Sequence, residues 1–232
     1  MWPPEHERFA DRTAAGHLLG AAVATHLRQL TKASTQVPLV LALPRGGVPV
    51  GYAVAQAIGA DFDLVISRKV GLPWQSDQTV GAIAENGPPV FDRGALAGYG
   101  LTDSDLAPAV QRERVELRRR QERYRGLRPA PDVTGRVVVI VDDGLATGVT
   151  ARAASRALQG GKPAYLVFAA PVCAAESVDL LSADVDAVID IHSPREFHAL
   201  GLYYTDFTEL TDEHVDEICR MAWGPVKVPT PV

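Results

Sequence analysis

The chain has 232 residues and a formal net charge of −5, with 47 % hydrophobic and 22 % charged residues, an ordinary balance for a globular protein of this length. The acidic excess argues against nonspecific nucleic-acid binding by the whole molecule, and no apolar run approaches the roughly 18 residues that a membrane span requires. The amino terminus, MWPPEHERFADR, lacks the apolar core of a secretion signal, and Cys173 and Cys219 lie far apart without metal-ligand spacing, so reduced structural thiols and a cytoplasmic setting are expected.

Asp11 is placed to cap a helix running to about residue 30, with Ala15, Leu18, Leu19, Ala22, Val23 and Leu27 on one face. A buried strand over 39–43 follows, then the loop Pro44-Arg45-Gly46-Gly47 and an apolar helix over 48–58 stopped by Gly59. Two glycines beside an arginine let backbone approach an anion while the guanidinium holds it bidentately. The run DLVISRK predicts a strand over 63–67 with Arg68 and Lys69 at its carboxyl end. After it, Gly71, Pro73 and the polar stretch 75–79 are too interrupted for a buried element. A strand at 80–85 and a short extended piece at Val90 and Phe91 are expected within this excursion, which covers about 70–92.

A charged helix is predicted over 102–125, with seven arginines and three glutamates between Arg112 and Arg125. Glu113, Glu116 and Glu122 interleave with the arginines at helical spacing, which favours a solvated or subunit-facing helix over a nucleic-acid contact. Residues 137–141 are apolar, mostly β-branched and unbroken, as in a strand buried on both faces of a parallel sheet. That strand stops at Asp142 and Asp143, on the edge where open α/β sheets bind ligands. Gly144, Leu145, Ala146, Thr147, Gly148 and Thr150 then form a compact turn entering a helix over 149–158, whose amides and hydroxyls suit a phosphate. Carboxylates beside a phosphate cradle suggest a phosphorylated sugar. Strands at 164–170 and 186–191, a helix at 173–182 and a last helix from the Thr211 cap to about 222 complete an alternation that implies a parallel sheet covered on both faces. Residues 1–223 are taken as one domain and 224–232 as a loose tail.

An apolar run, two acids, three variable positions and Thr-Gly-x-Thr resembles the phosphoribosyl diphosphate (PRPP) signature of the type I phosphoribosyltransferases. The PRGG loop resembles the pyrophosphate loop of the same family, where a non-proline cis peptide often occurs. Together with Arg68-Lys69 and the late Tyr204-Thr205-Asp206-Phe207, the resemblance covers most of residues 8–220 and extends to a stand-alone bacterial branch whose acceptor is unsettled. It implies a mainly parallel, twisted α/β sheet with a hood at about 70–92 and a C-terminal acceptor-side segment. The implied activity is transfer of 5-phosphoribosyl from PRPP, with Mg²⁺, to a nitrogenous small-molecule acceptor with release of pyrophosphate. Homodimers are common among the relatives.

By that resemblance Asp142 and Asp143 contact the ribose hydroxyls, directly or through metal-bound water, and the turn from Gly144 to Thr150 holds the 5′-phosphate. Arg45, Gly46, Gly47, Arg68 and Lys69 hold pyrophosphate, and His192, Phe197, Tyr203, Tyr204 and Phe207 are candidates for the acceptor pocket. Each of those five aromatic residues also suits an ordinary core or loop position. Purine-using members commonly carry an aspartate just before Thr-Gly; Ala146 cannot transfer a proton, so a purine mechanism relying on that acid is disfavoured. A non-catalytic protein that senses PRPP or a nucleotide on the same fold is the alternative expectation.

Overall fold

In the computed structural model, residues 8–30, 36–126 and 128–224 are described. The chain begins with α1 (Arg12–Gln29), β1 (Leu39–Ala42), α2 (Gly47–Ile58) and β2 (Asp61–Leu64), followed by β3 (Ser67–Leu72), β4 (Gln75–Ala84), β5 (Val90–Phe91) and α3 (Arg93–Tyr99). After a short 3₁₀ turn come α4 (Ala107–Arg125), β6 (Val137–Val141), α5 (Val149–Gln159), β7 (Tyr165–Val172), α6 (Ala175–Leu181), β8 (Ala187–His192) and α7 (Asp212–Trp223). The tail expected at 224–232 lies, apart from Gly224, outside the described residues.

The principal sheet is parallel throughout, in the order β2-β1-β6-β7-β8. Its two faces are set by the two-residue alternation of each strand. Val40, Ala42, Val139 and Val141 turn toward a core completed by α1, α2 and α7, whereas Leu39, Leu41, Val138 and Ile140 turn toward α5. After β1 the chain first builds β2 on one side and later returns to place β6 on the other, so the winding reverses between β1 and β6. At such a switch point the loops leaving adjacent strands diverge and open a crevice.

Helix α1 starts where predicted, with the Asp11 carboxylate accepting from the Ala14 amide at 2.7 Å. Its buried face differs from the prediction, because Leu18 is exposed while Gly16 and Gly20 are buried with Ala15, Leu19 and Val23. The glycines bring α1 against α2: a methyl at Gly20 would lie 2.6 Å from Ala57 Cβ. Close helix approach, rather than apolar bulk, selects the face.

The strand predicted over 63–67 ends instead at Leu64, and Arg68 and Lys69 fall on β3 of a separate antiparallel sheet ordered β3-β4-β5. The apolar run DLVISR is continuous because it crosses between two sheets, with Val65 donating to Ala42 O at 3.0 Å and Ile66 to the Glu85 carboxylate at 2.6 Å. The polar stretch of the excursion forms the exposed start of β4, and its later half is buried. Helix α3, which the glycines of RGALAGYG conceal, is capped by Asp92 and stopped by Gly100 at φ +64°.

The charged helix is more than a solvated face. Glu116 pairs with Arg119 as the spacing predicts, and hydrogen bonding from Arg119 holds its carboxyl down at about 2. Arg125, by contrast, is buried and bonds Asp63, Glu85 and the Leu64 carbonyl, tying α4 to both sheets. Arg123 reaches Glu213 at 3.0 Å and Asp216 at 3.2 Å on α7. Replacing Arg125 with methionine leaves the enclosed Glu85 without its cation and Asp63 with Arg128 at 3.7 Å, and is expected to cost about 3–5 kcal/mol of stability, against less than about 1 kcal/mol for Arg119→Met. Urea denaturation of the two variants checks the contrast, and equal losses would contradict it.

Candidate functional site

Strand register places the two signature loops side by side. Ala42 pairs with Val141, and Leu43 N donates to Val141 O at 2.8 Å, so the PRGG corner leaves the sheet next to the Asp142–Asp143 pair. The contact is tight enough to require glycine. A Cβ on Gly46 would lie 2.1 Å from Asp143 Oδ2, and one on Gly47 would lie 2.5 Å from Val141 O and 2.8 Å from Asp142 Cα. The Pro44–Arg45 peptide within this corner is cis.

Above the corner lies a cleft of about 990 Å³ whose floor includes Arg45, Gly46, Asp142, Asp143 and Thr150. The antiparallel sheet supplies one wall through Arg68, Lys69, Ser76, Asp77 and Thr79, and α4 adds Glu113 and Arg120. The segment before α7 supplies Phe207, Glu209 and Leu210. Arg68 and Lys69 thus reach the cleft from β3 of the second sheet rather than from the end of a parallel strand.

Charge is balanced locally. Burial, reinforced by the negative charge of Asp143, pushes the Asp142 carboxyl well above the usual carboxylate range, and Lys69 pulls it partway back. Asp143 is met by Arg12, whose Nε lies 2.8 Å from Oδ2. The same guanidinium donates to Thr208 O at 2.9 Å and stacks 3.9 Å from the centre of the Phe207 ring. Arg45 pairs with Glu209 at 2.7 Å and approaches Asp212 at 3.9 Å, while Arg68 pairs with Glu113 at 2.8 Å.

The turn after the acids is fixed from behind and open in front. Leu145 is buried and bridges Cys173, and the Ala146 carbonyl accepts from the Ser177 hydroxyl. Gly148, at φ +72°, swings the chain into α5, whose first turn has no side-chain cap. Ala146 and Thr147 are exposed. An uncapped helix start leaves amide donors for an anion.

Of the five aromatic acceptor candidates, Phe207 lines this cleft and the other four do not. Tyr203 and Tyr204 are buried with Phe9 and Val172, and Phe197 stacks on Tyr203 with centroids 6.2 Å apart. His192, the last residue of β8, lies 5.3 Å from the Phe9 ring, centroid to centroid. Tyr204 acts indirectly, donating its hydroxyl to the Asp143 carbonyl at 2.7 Å. Apolar burial wins for Tyr203 and Tyr204, His192 and Phe197 are half-buried beside them, and the C-terminal wall is made by Phe207, Glu209 and Leu210. Sequence reasoning misses Glu113, Arg120, Glu209 and Arg12; Arg12 is hidden because one position past a helix cap it looks like an exposed helix start. It is carried to the cleft by the pairing of residues 9–10 with 203–206, through Phe9 N to Tyr203 O at 2.9 Å and Asp206 N to Ala10 O at 2.9 Å.

Fold and cleft together define a doubly wound α/β protein with a charged, phosphate-suited crevice at its switch point. Residues 10–204 match the phosphoribosyl transferase domain family. TT1426 from Thermus thermophilus is similar in sequence and crystal structure, with 42 % identity, a TM-score of 0.74, and coverage of 91 % of this chain and 97 % of that one. Two Mycobacterium tuberculosis proteins, from strains CDC 1551 / Oshkosh and ATCC 25618 / H37Rv and provisionally named phosphoribosyl transferases, are each 36 % identical over 207 residues. That alignment covers 89 % of this chain and 45 % of theirs, so the chain spans about half the length of the curated relatives it matches. The chain belongs to the phosphoribosyl transferase domain family.

The abutment of the two loops predicts unequal costs at the two glycines. Gly47→Ala drives a methyl into backbone atoms and is expected to lose about 1–3 kcal/mol. Gly46→Ala meets only the Asp143 side chain, so it costs less and turns the carboxylate off Arg12. Urea denaturation with a crystal structure of Gly46→Ala checks both, and an unmoved Asp143 contradicts the second.

Proposed function

We propose that this cleft binds PRPP and transfers its 5-phosphoribosyl group to a nitrogenous acceptor, releasing pyrophosphate. The observation that carries the reading is the meeting of the PRGG corner with the Asp142–Asp143 loop within one cleft. A small molecule bearing a 5′-phosphate, a diol and a diphosphate finds a complementary group for each part.

In this reading the amides of the turn at 146–150 and the Thr150 hydroxyl hold the 5′-phosphate, using an uncapped helix start that already favours an anion, while the Leu145 amide is taken by the Val172 carbonyl. Asp142 and Asp143 accept from the ribose hydroxyls and favour the positive charge that develops on the ring as its bond to diphosphate breaks. Arg45, Arg68 and Lys69, with the amide of Gly46, stabilise the departing diphosphate, the Gly47 amide being taken by the Leu43 carbonyl at 3.0 Å. Catalysis then rests on positioning and preorganised charge rather than on a protein nucleophile. The polar half of β4 and the turn before it serve as the hood, covering the bound substrate so that water does not intercept the glycosyl cation.

The donor set suits Mg²⁺ held mainly by substrate. Among the described residues no group of three or more His, Cys, Asp or Glu side chains could hold a metal, and Asp143 is already engaged by Arg12. Mg²⁺ keeps several waters and commonly takes its remaining oxygens from substrate phosphates and one or two carboxylates, so Asp142 and Asp143 would meet it through water. Bound there, it would neutralise diphosphate charge. With Ala146 at the turn, the acceptor's proton leaves by another route, through solvent or a hood residue.

Asp143→Asn and Arg45→Ala are each expected to lower phosphoribosyl transfer about 10²–10³-fold while the protein stays folded. The assay is pyrophosphate release from PRPP and Mg²⁺ across a panel of nitrogenous acceptors, alongside calorimetric PRPP binding. Full turnover in either variant contradicts the assigned roles, and PRPP binding without release for any acceptor makes the protein a sensor.

A further inference from the structure

Both arginines assigned above to the diphosphate are held by glutamates that line the same cleft. Arg45 is bonded by Glu209 and Arg68 by Glu113, at 2.7 and 2.8 Å. The two pairs come from unrelated parts of the chain, Glu209 from the irregular segment before α7 and Glu113 from α4. An anion entering the cleft toward these guanidiniums meets a carboxylate already on each of them.

We propose that Glu209 and Glu113 are tethered counter-ions: they leave Arg45 and Arg68 when a diphosphate enters and reclaim them when it departs. The proposal rests on the preceding reading of the cleft as a diphosphate site.

Three observations support exchange over a fixed structural role. The Glu209 side chain is 84 % exposed, so releasing Arg45 returns the carboxylate to water instead of stranding it in the interior. The Arg45–Glu209 pair is therefore weak, the Arg68–Glu113 pair is partly buried, with side chains 26 % and 25 % exposed, and a diphosphate brings more charge and a better fork for either guanidinium than one carboxylate does. Arg45 also keeps a second carboxylate nearby that is independently anchored. Asp212, 3.9 Å from Arg45, accepts from the Tyr124 hydroxyl at 2.6 Å and faces Arg123 at 3.3 Å. When Glu209 leaves, that anchored acid remains to keep the Arg45 guanidinium aimed into the cleft.

Such an arrangement keeps the arginines oriented before substrate arrives and opposes retention of the product. The cost is affinity, which removing the carboxylates recovers. Calorimetric titration of the full chain with pyrophosphate in Mg²⁺, and separately with orthophosphate, tests this in Glu209→Gln, Glu113→Gln and the double variant. Each single variant is expected to bind pyrophosphate about two- to fivefold more tightly, and the double variant by about the product of the two gains. Orthophosphate, which engages one arginine at a time, is expected to gain no more in the double variant than in the better single one. Asp77→Asn removes another charge from the same cleft wall, from a residue with no ion pair among those described, and is expected to give a smaller gain. Unchanged or weaker pyrophosphate binding in both single variants, or an equal gain in Asp77→Asn, overturns the tethered role while leaving the diphosphate site standing. Absence of pyrophosphate binding in wild type and double variant alike overturns the diphosphate reading, and this proposal with it.

Discussion

The structure depends on the parallel pairing of β1 with β6. It is the seam at which the winding of the sheet reverses, and it joins segments almost one hundred positions apart through the register of Leu39 with Val138 and Ala42 with Val141. Everything chemical in the cleft is referenced to that register. A one-residue slip would turn each side chain to the opposite face and separate Gly46 from Asp143. The unbroken apolar character of both strands guards against it, since each is buried on both sides and neither face tolerates a polar substitute. Glycine at 46 and 47 is the local consequence, because the Asp143 carboxylate leaves no room for a methyl group at 46 and the backbone of Val141 and Asp142 leaves none at 47.

Around that fixed seam the cations are held by other means. Lys69 and Arg68 belong to an antiparallel sheet that shares no strand pairing with the principal one. What ties the two sheets together at this end is ionic. Arg125 spans Asp63 at the end of β2 and Glu85 just past β4, while Glu85 also receives the Ile66 amide. Buried pairs of this kind gain little over apolar packing, yet they are costly to half-break. They therefore specify one arrangement of the sheets more sharply than they stabilise it. The second sheet can carry cations to the cleft from outside the parallel layer while keeping a defined position over it.

Much of this was legible in the residues. Strand positions within the principal sheet followed from apolar runs, helix starts from Asp11 and Thr211, and the crevice from the pairing of acids with a glycine- and threonine-bearing turn. Two kinds of information were not local. An apolar run says that a segment is buried, but not in which sheet, so 63–67 looked like one strand when it is a crossing between two. Aromatic residues after β8 suggested a binding wall, but an aromatic side chain is equally suited to a core; Tyr203 and Tyr204 close the gap between the α1 entry segment and β7. Arg12 carried no local signal at all, because its role arises from pairing between residues 9–10 and 203–206, at opposite ends of the chain.

The arginine-rich helix shows why charge counts mislead in both directions. Seven arginines in one helix suggest a polyanion, and interleaved glutamates suggest a face that needs no partner; neither pattern reveals which side of the helix meets protein. In the fold Arg68 and Glu113 join it to β3, Arg123 joins it to α7, and Arg125 disappears into the interior. Of the seven cations that the sequence presents as a surface excess, Arg123 and Arg125 are engaged by carboxylates from distant elements, and Arg119 and Arg120 by Glu116 within the helix. This also bears on the cleft, because α4 contributes Glu113 and Arg120 to its wall. The helix that braces the second sheet is the one that sets the local charge facing any phosphate, so bracing and binding cannot be altered independently there. A substitution on that face shifts the field in the cleft, the position of β3, or both, according to whether the side chain ends in the cleft as Arg120 does or under the sheet as Arg125 does.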